Sequence, residues 1–209
     1  MPQLTNIRYQ YANDLLLSNK GFNDDFSEEH RLPKLGEEIN TRLLKKIISQ
    51  PHSLDDLIKY NGTKVTIYLR ISGNFWYNAW NFKPYTGTQI KEMRVPLKYQ
   101  NFILVLINSN LMYFFLRIYG DGRHLNADIM NSIGIPEVDQ IDLKLRELDD
   151  MAKKLMNDLR SVFDQVNNRF EVSKVKTTIN NCDALLRDLY KLSDEEYTHL
   201  TKYDIEIRG

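Results

Sequence analysis

The sequence predicts an α+β fold: a small mixed β-sheet domain with packed helices, then an antiparallel, coiled-coil-like helical hairpin. Three patterns carry this expectation. Residues 63–72, TKVTIYLRIS, alternate apolar and polar side chains with the period of two that a half-buried strand requires. Residues 102–119 are apolar on nearly every face and are cut by Asn108, Ser109 and Asn110, with Arg117 as the one charge. From Ile141 through Leu145, Leu148, Ala152, Leu155, Leu159 and Val162 to Val166, apolar residues recur at 4-3-4-3 spacing, the a/d seam of paired helices. The boundary falls at 137/138, with a sheet-bearing domain over 1–137 and the helical part over 138–209.

Residues 1–32 hold apolar islands (Tyr9, Tyr11, Phe22) without a sustained period and suit the tail of a preceding domain. The acids Asp24, Asp25, Glu28 and Glu29 read as a solvated loop. Leu35, Ile39, Leu43, Ile47 and Ile48 lie at helical spacing. Arg42, Lys45 and Lys46 stand near the C-terminal end, where cations complement the helix dipole, and Pro51 ends the element. Ser53 and Asp56 form a capping box for a short helix over 54–60, and Asn61-Gly62 turns the chain into the strand at 63–72. Gly73-Asn74 suits a hairpin turn before an aromatic second strand at 75–82. A third strand at 93–97 is confined to a sheet edge by Pro96.

A helix over 99–107 leads into the turn Asn108–Ser109–Asn110, whose side chains can cap the helix that follows. Gly120 and Gly122 bracket Asp121, which suits positive backbone φ after a helix end. Asn126 caps a short helix over 127–132, and Gly134 stops it. Beyond the seam, a break at 169–173 with Ser173 as cap precedes a second helix carrying Val175, Ile179, Cys182, Leu186 and Leu189. Ser193 and Glu196 form a last capping box.

Lys and Arg total 28 and Asp and Glu total 28, so the net charge is zero. The distribution is uneven: residues 61–137 carry 8 basic and 4 acidic side chains, compatible with phosphate contacts without demanding them. The lone cysteine, Cys182, excludes an internal disulfide and fits a cytoplasmic protein. No basic start with an apolar core marks a signal peptide, and the polar turn at 108–110 leaves apolar pieces too short to span a bilayer.

Catalytic patterns are missing. No clustered glycine run cradles a phosphate or methyl donor, and Asn81-Phe82-Lys83-Pro84-Tyr85 has the wrong spacing for the Asn/Asp-Pro-Pro-Tyr/Phe loop that holds a target amine. Asp55, Asp56 and Lys59 resemble a nuclease set only superficially, since a capped helix start explains the acids. His30, His52, His124 and His199 lack zinc-ligand spacing. The chain by itself is expected to catalyse nothing.

One ordered set of segments carries a resemblance. It runs INSNL at 107–111, aromatics at 113–115, Arg117, DGRHLN at 121–126, Asp128-Ile129 and Ile135-Pro136. LPKLGEE at 32–38 and LRDLYKLSDEE at 186–196 add to it. This order resembles the C-terminal target-recognition region of bacterial restriction-modification DNA adenine methyltransferases. The nearest are the single-chain type IIG enzymes that fuse methyltransferase and endonuclease, with kinship to type I specificity subunits. The resemblance implies double-stranded DNA as partner and a methyltransferase domain, in the same polypeptide or a separate subunit, as a second partner. It also implies S-adenosylmethionine as cofactor of the parent enzyme, none in this chain, and a spacer role for the helical hairpin. A type I specificity-like half and a coiled-coil interaction module that binds no DNA are the alternatives.

Arg, Asn and Ser read base edges while Lys serves phosphates, so the expected DNA-contacting set is Arg70, Ser72, Asn74, Tyr77, Lys83, Tyr85, Lys91, Arg94, Arg123 and His124. Base reading is expected from 70–83 and 85–91. The turn with Arg123 and His124, shared by relatives of differing specificity, is expected to be scaffold or phosphate contact. Trp76 and Trp80 suit either this surface or core packing.

Overall fold

The computed structural model describes residues 35–72, 76, 78–120, 124–164, 166–167 and 169–204. The acidic cluster at 24–29, the Gly73-Asn74 turn and Asp121-Gly122 lie outside the described residues. The fold is α+β. Its centre is the pair α3 (Gln100–Ile107) and α4 (Asn110–Tyr119), in which Phe102 to Ile107 and Leu111 to Leu116 are all buried. Helices apolar on every side have no solvent face to spare, so other elements enclose them. Segments Leu97–Ile107 and Asn110–Tyr119 bend by 69° at the intervening turn, and no single helix among the described residues is long and apolar enough to cross a membrane.

The turn itself is polar and buried. Asn108 Nδ2 donates to Ala79 O (2.9 Å) and Leu104 O (2.8 Å), and its Oδ1 accepts from Ala79 N (3.3 Å) and Asn78 Nδ2 (3.2 Å). Ser109 caps α4 by accepting from Met112 N at 3.1 Å. The next two amides, of Asn110 and Leu111, donate to the Asp183 carboxylate at 3.2 and 3.1 Å.

On one side of this pair lies a three-stranded sheet in the order β3–β2–β4: β2 (Lys64–Arg70), β3 (Ala79–Trp80) and β4 (Ile90–Pro96). Every described pairing is antiparallel, where a mixed sheet was expected; within the three-stranded sheet no described helix lies between one strand and the next, as a parallel pair would need. The second strand is only two residues long, and Trp76 precedes it outside any strand. β4 lies at the edge with Pro96 at its end, where a missing amide costs no ladder bond.

Before the sheet come α1 (Glu38–Ile48), β1 (His52–Ser53) and α2 (Leu54–Lys59); α5 (Ala127–Asn131) and β5 (Gly134–Ile135) follow α4. The capping box of Ser53 and Asp56 and the cap by Asn126 form as expected. Gly134 pairs with Ser53, and a Cβ there would sit 2.0 Å from Ile47 O, so close approach requires the glycine. Gly120 has φ −98° rather than the positive value expected; a Cβ would meet Leu116 O at 2.6 Å, so crowding rather than handedness selects it.

The helical part holds α6 (Val138–Leu143), α7 (Leu145–Ser161), α8 (Lys176–Tyr190) and α9 (Asp194–Lys202). The seam is interrupted at Lys144 and ends with α7. Beyond it the chain forms a hairpin of β6 (Phe163–Asp164) and β7 (Arg169–Phe170), leaving Val166 90% exposed instead of in the seam. Ser173 lies within a 3₁₀ turn, Val172–Val175, and does not cap α8. Leu148, Ala152, Leu155 and Leu159 are buried, α7 lies along α3, and the helical part shares one continuous core with the sheet-bearing part. Cations of α1 reach α9 as well as complementing their own helix end: Arg42 pairs with Glu195 and Lys46 with Glu196, both at 2.6 Å.

Asp183 yields a stability prediction. Burial outweighs its hydrogen bonds and pushes its carboxyl from 3.8 up to about 6. Between those values the folded chain binds more protons than the unfolded one, so this group's stabilising contribution is complete below pH 3.8 and is lost as pH rises through 6. Urea unfolding of wild type and Asp183→Asn at pH 4 and pH 7 is expected to show the difference moving against wild type by roughly 2–3 kcal/mol. A pH-independent difference would show that the carboxyl is ionised throughout. Asp183→Ala, which orphans both capped amides, is expected to cost about 2–5 kcal/mol at either pH.

Candidate nucleic-acid interface

The alternation of β2 divides the sheet into two faces. Ile67 and Leu69 are buried against the helices, while Tyr68 and Arg70 are half-buried on the opposite side. Register with β4 sets Arg94 opposite Thr66, Glu92 opposite Tyr68 and Ile90 opposite Arg70. Paired residues share a face, so the outward side carries Thr66, Tyr68, Arg70, Glu92 and Arg94. Ser72 continues the row and bridges His124, which is exposed beside it, and Leu125 N donates to Ile71 O at 2.9 Å. The expected DNA-contacting residues Arg70, Ser72, Arg94 and His124 are thereby brought to one side of the sheet.

Two of these have unspent hydrogen-bonding capacity. Arg70 Nε and Ser72 Oγ are both buried and have no hydrogen-bond partner in the chain. A buried polar atom left unpaired costs about 1–3 kcal/mol, and the same holds for Asn78 Oδ1, Trp80 Nε1, Tyr99 Oη, Asn131 Oδ1 and Asp142 Oδ1. Arg94 is exposed, with Nη2 donating to Lys64 O at 3.1 Å.

The other expected residues go elsewhere. Lys91 lies opposite Leu69, so it belongs to the helix-facing side of the sheet and reaches solvent at its edge. Asn74, Tyr77 and Arg123 lie outside the described residues. Tyr85 stacks on Phe163 with ring centroids 6.2 Å apart and planes 3° apart, and Lys83 is exposed in the same loop.

The aromatics around β3 form a seam with the helical part. Trp80 is fully buried with Phe170 at 4.9 Å, and Phe170 lies 4.6 Å from Phe163. Arg160 covers Phe82 at 4.1 Å, and Lys176 lies 5.6 Å from Trp76. Trp80 pairs with Tyr68 and so belongs to the outward face. The β6–β7 hairpin thus covers the β3 share of that face and leaves the β2–β4 share half-exposed. Sequence reasoning missed Arg160, Phe163 and Phe170 because it continued the heptad seam through Val166; Asn167-Asn168 was the available turn signal.

Groups with catalytic potential are engaged structurally. Asp55 pairs with Lys59, and the Ser53 hydroxyl and amide hold the Asp56 carboxyl below its ordinary range. His52 contacts Glu137 at 3.0 Å, His199 contacts Asn40 at 2.7 Å, and no metal-holding group of side chains occurs among the described residues. No family model, no curated protein and no solved structure matches the chain.

The seam is testable by itself. In a double-mutant cycle with Trp80→Leu and Phe170→Leu, read by urea unfolding, the two losses are expected to couple by about 0.5–1.5 kcal/mol. Additive losses would show that the rings pack independently.

Proposed function

We propose that this chain is the DNA-holding, site-selecting part of a restriction-modification adenine DNA methyltransferase of the type IIG kind. Its catalytic domain, using S-adenosylmethionine, lies outside this chain. One observation carries the reading: Arg70, Ser72, Arg94 and His124 share the half-exposed outward face of an antiparallel sheet, and Arg70 and Ser72 have donors to spare. A pair of unsatisfied polar groups beside exposed cations is suited to a polyanion that displays ordered acceptors. The ordered segments from INSNL to Ile135-Pro136 support the same reading.

In this role the chain does no bond chemistry. Exposed cations such as Arg94 and Lys83 set the register of the duplex through phosphates, and side chains on the sheet discriminate bases. The bound duplex is then held where the catalytic domain can take a flipped adenine. A cytoplasmic location goes with this role, since the substrate is the cell's own DNA.

A type I specificity-like subunit that carries a separate methyltransferase uses the same surface. Exposed apolar side chains suit it equally: Leu97 (52% exposed) and Leu143 (84%) flank the Lys98–Asp142 pair, at the end of β4 remote from Arg70. A dimerising coiled coil is less well supported, because Leu148, Leu155 and Leu159 are spent against the chain's own core.

Fluorescence anisotropy with a labelled mixed-sequence duplex tests the reading. Binding at low salt is expected, with log K falling linearly against log salt, and Arg94→Ala and Lys83→Ala are each expected to lower the slope by about one. No binding at roughly 50 mM salt, or binding indifferent to salt, overturns it.

A further inference from the structure

We infer that Arg70 is a base-reading side chain of this surface and that the base it reads is guanine. The inference rests on the DNA reading above and assigns a ligand group within it. A guanidinium offers donors alone, in a fixed planar fork. Guanine presents two adjacent acceptors, O6 and N7, in the major groove. Adenine sets a donor beside its acceptor, cytosine presents a donor, and thymine presents one acceptor beside a methyl group. A half-buried Arg side chain that makes no hydrogen bond among the described residues is therefore matched by guanine and mismatched by the other three.

A phosphate also offers paired acceptors, and three features of the site disfavour it. Arg70 lies on a strand paired to β3 and β4, with its Nε buried, whereas the exposed cations suited to phosphates are Arg94 on this face and Lys83 in the loop after β3. Its cross-strand diagonal neighbour is Glu92, an exposed carboxylate with no ion pair among the described residues, which repels a phosphate brought to the same spot. Ser72, two residues along the same face, holds a second unpartnered group at a spacing of roughly 6.6 Å, about two base-pair rises.

The test enriches random duplexes on the full chain and on its Arg70→Ala and Arg70→Lys variants, all first checked for native melting by circular dichroism. Wild type is expected to enrich a motif with a guanine that Arg70→Ala no longer selects. Replacing that guanine by 7-deazaguanine is expected to weaken wild type roughly tenfold or more and leave Arg70→Ala indifferent. Arg70→Lys, which keeps the charge without the fork, is expected to retain salt-sensitive binding and lose the preference; it carries the test should the alanine variant fail to fold. A motif without guanine overturns the assignment. So does a uniform loss on every duplex with a lowered salt slope, which identifies a phosphate contact. In both cases salt-sensitive DNA binding by wild type leaves the broader reading standing, whereas absence of any binding at low salt overturns both.

Discussion

A polar turn has to be satisfied in the middle of an apolar core, and that constraint organises this molecule. Asn108, Ser109 and Asn110 are each no more than 3% exposed. Water cannot serve their backbone and side-chain groups, so other segments must. Asn108 takes its partners from β3 and thereby ties the sheet to α3. Asn110 and the first amides of α4 take theirs from Asp183 on α8, which ties in the helical part. Three regions distant in sequence meet at three consecutive residues.

That attachment explains why the helical part lies against the sheet-bearing part. With Asp183 buried at the α4 N-terminus, α8 cannot swing away without exposing orphan amides and stranding a carboxyl. The aromatic seam from Trp76 to Phe170 closes the same contact from the other side. Trp80, which suits either the surface or the core in sequence, and Tyr85, expected to contact DNA, both pack into this closure. What is left over is informative. The row from Thr66 to Ser72 keeps one half-covered face, and on it Arg70 and Ser72 have no partner among neighbours that elsewhere satisfy most buried groups. Buried polar atoms without a partner also occur away from this row, at Asn78 Oδ1, Trp80 Nε1, Tyr99 Oη, Asn131 Oδ1 and Asp142 Oδ1.

Much of this was legible locally. Period two over 63–72 reported β2, the Ser-x-x-Asp and Ser-x-x-Glu boxes reported the starts of α2 and α9, and Asn126 reported its helix, because each depends on neighbours within one turn. The pairing of Tyr68, Arg70 and Ser72 on one face followed from the same alternation. Tertiary structure decided the rest. Whether Arg94 or Lys91 shares the face of Arg70 turns on a one-residue register with β2 that no local pattern encodes. Val166 continues a heptad perfectly well in sequence, yet the hairpin wins because Phe163 and Phe170 find Trp80 and Tyr85, partners roughly eighty residues earlier. Gly120 and Gly134 advertise freedom of φ in sequence and are required for want of space beside Leu116 and Ile47. Short-range hydrogen bonds and periodicity are written into neighbouring residues; which faces are left uncovered depends on contacts between residues far apart in the chain, and those exist only once the core has closed.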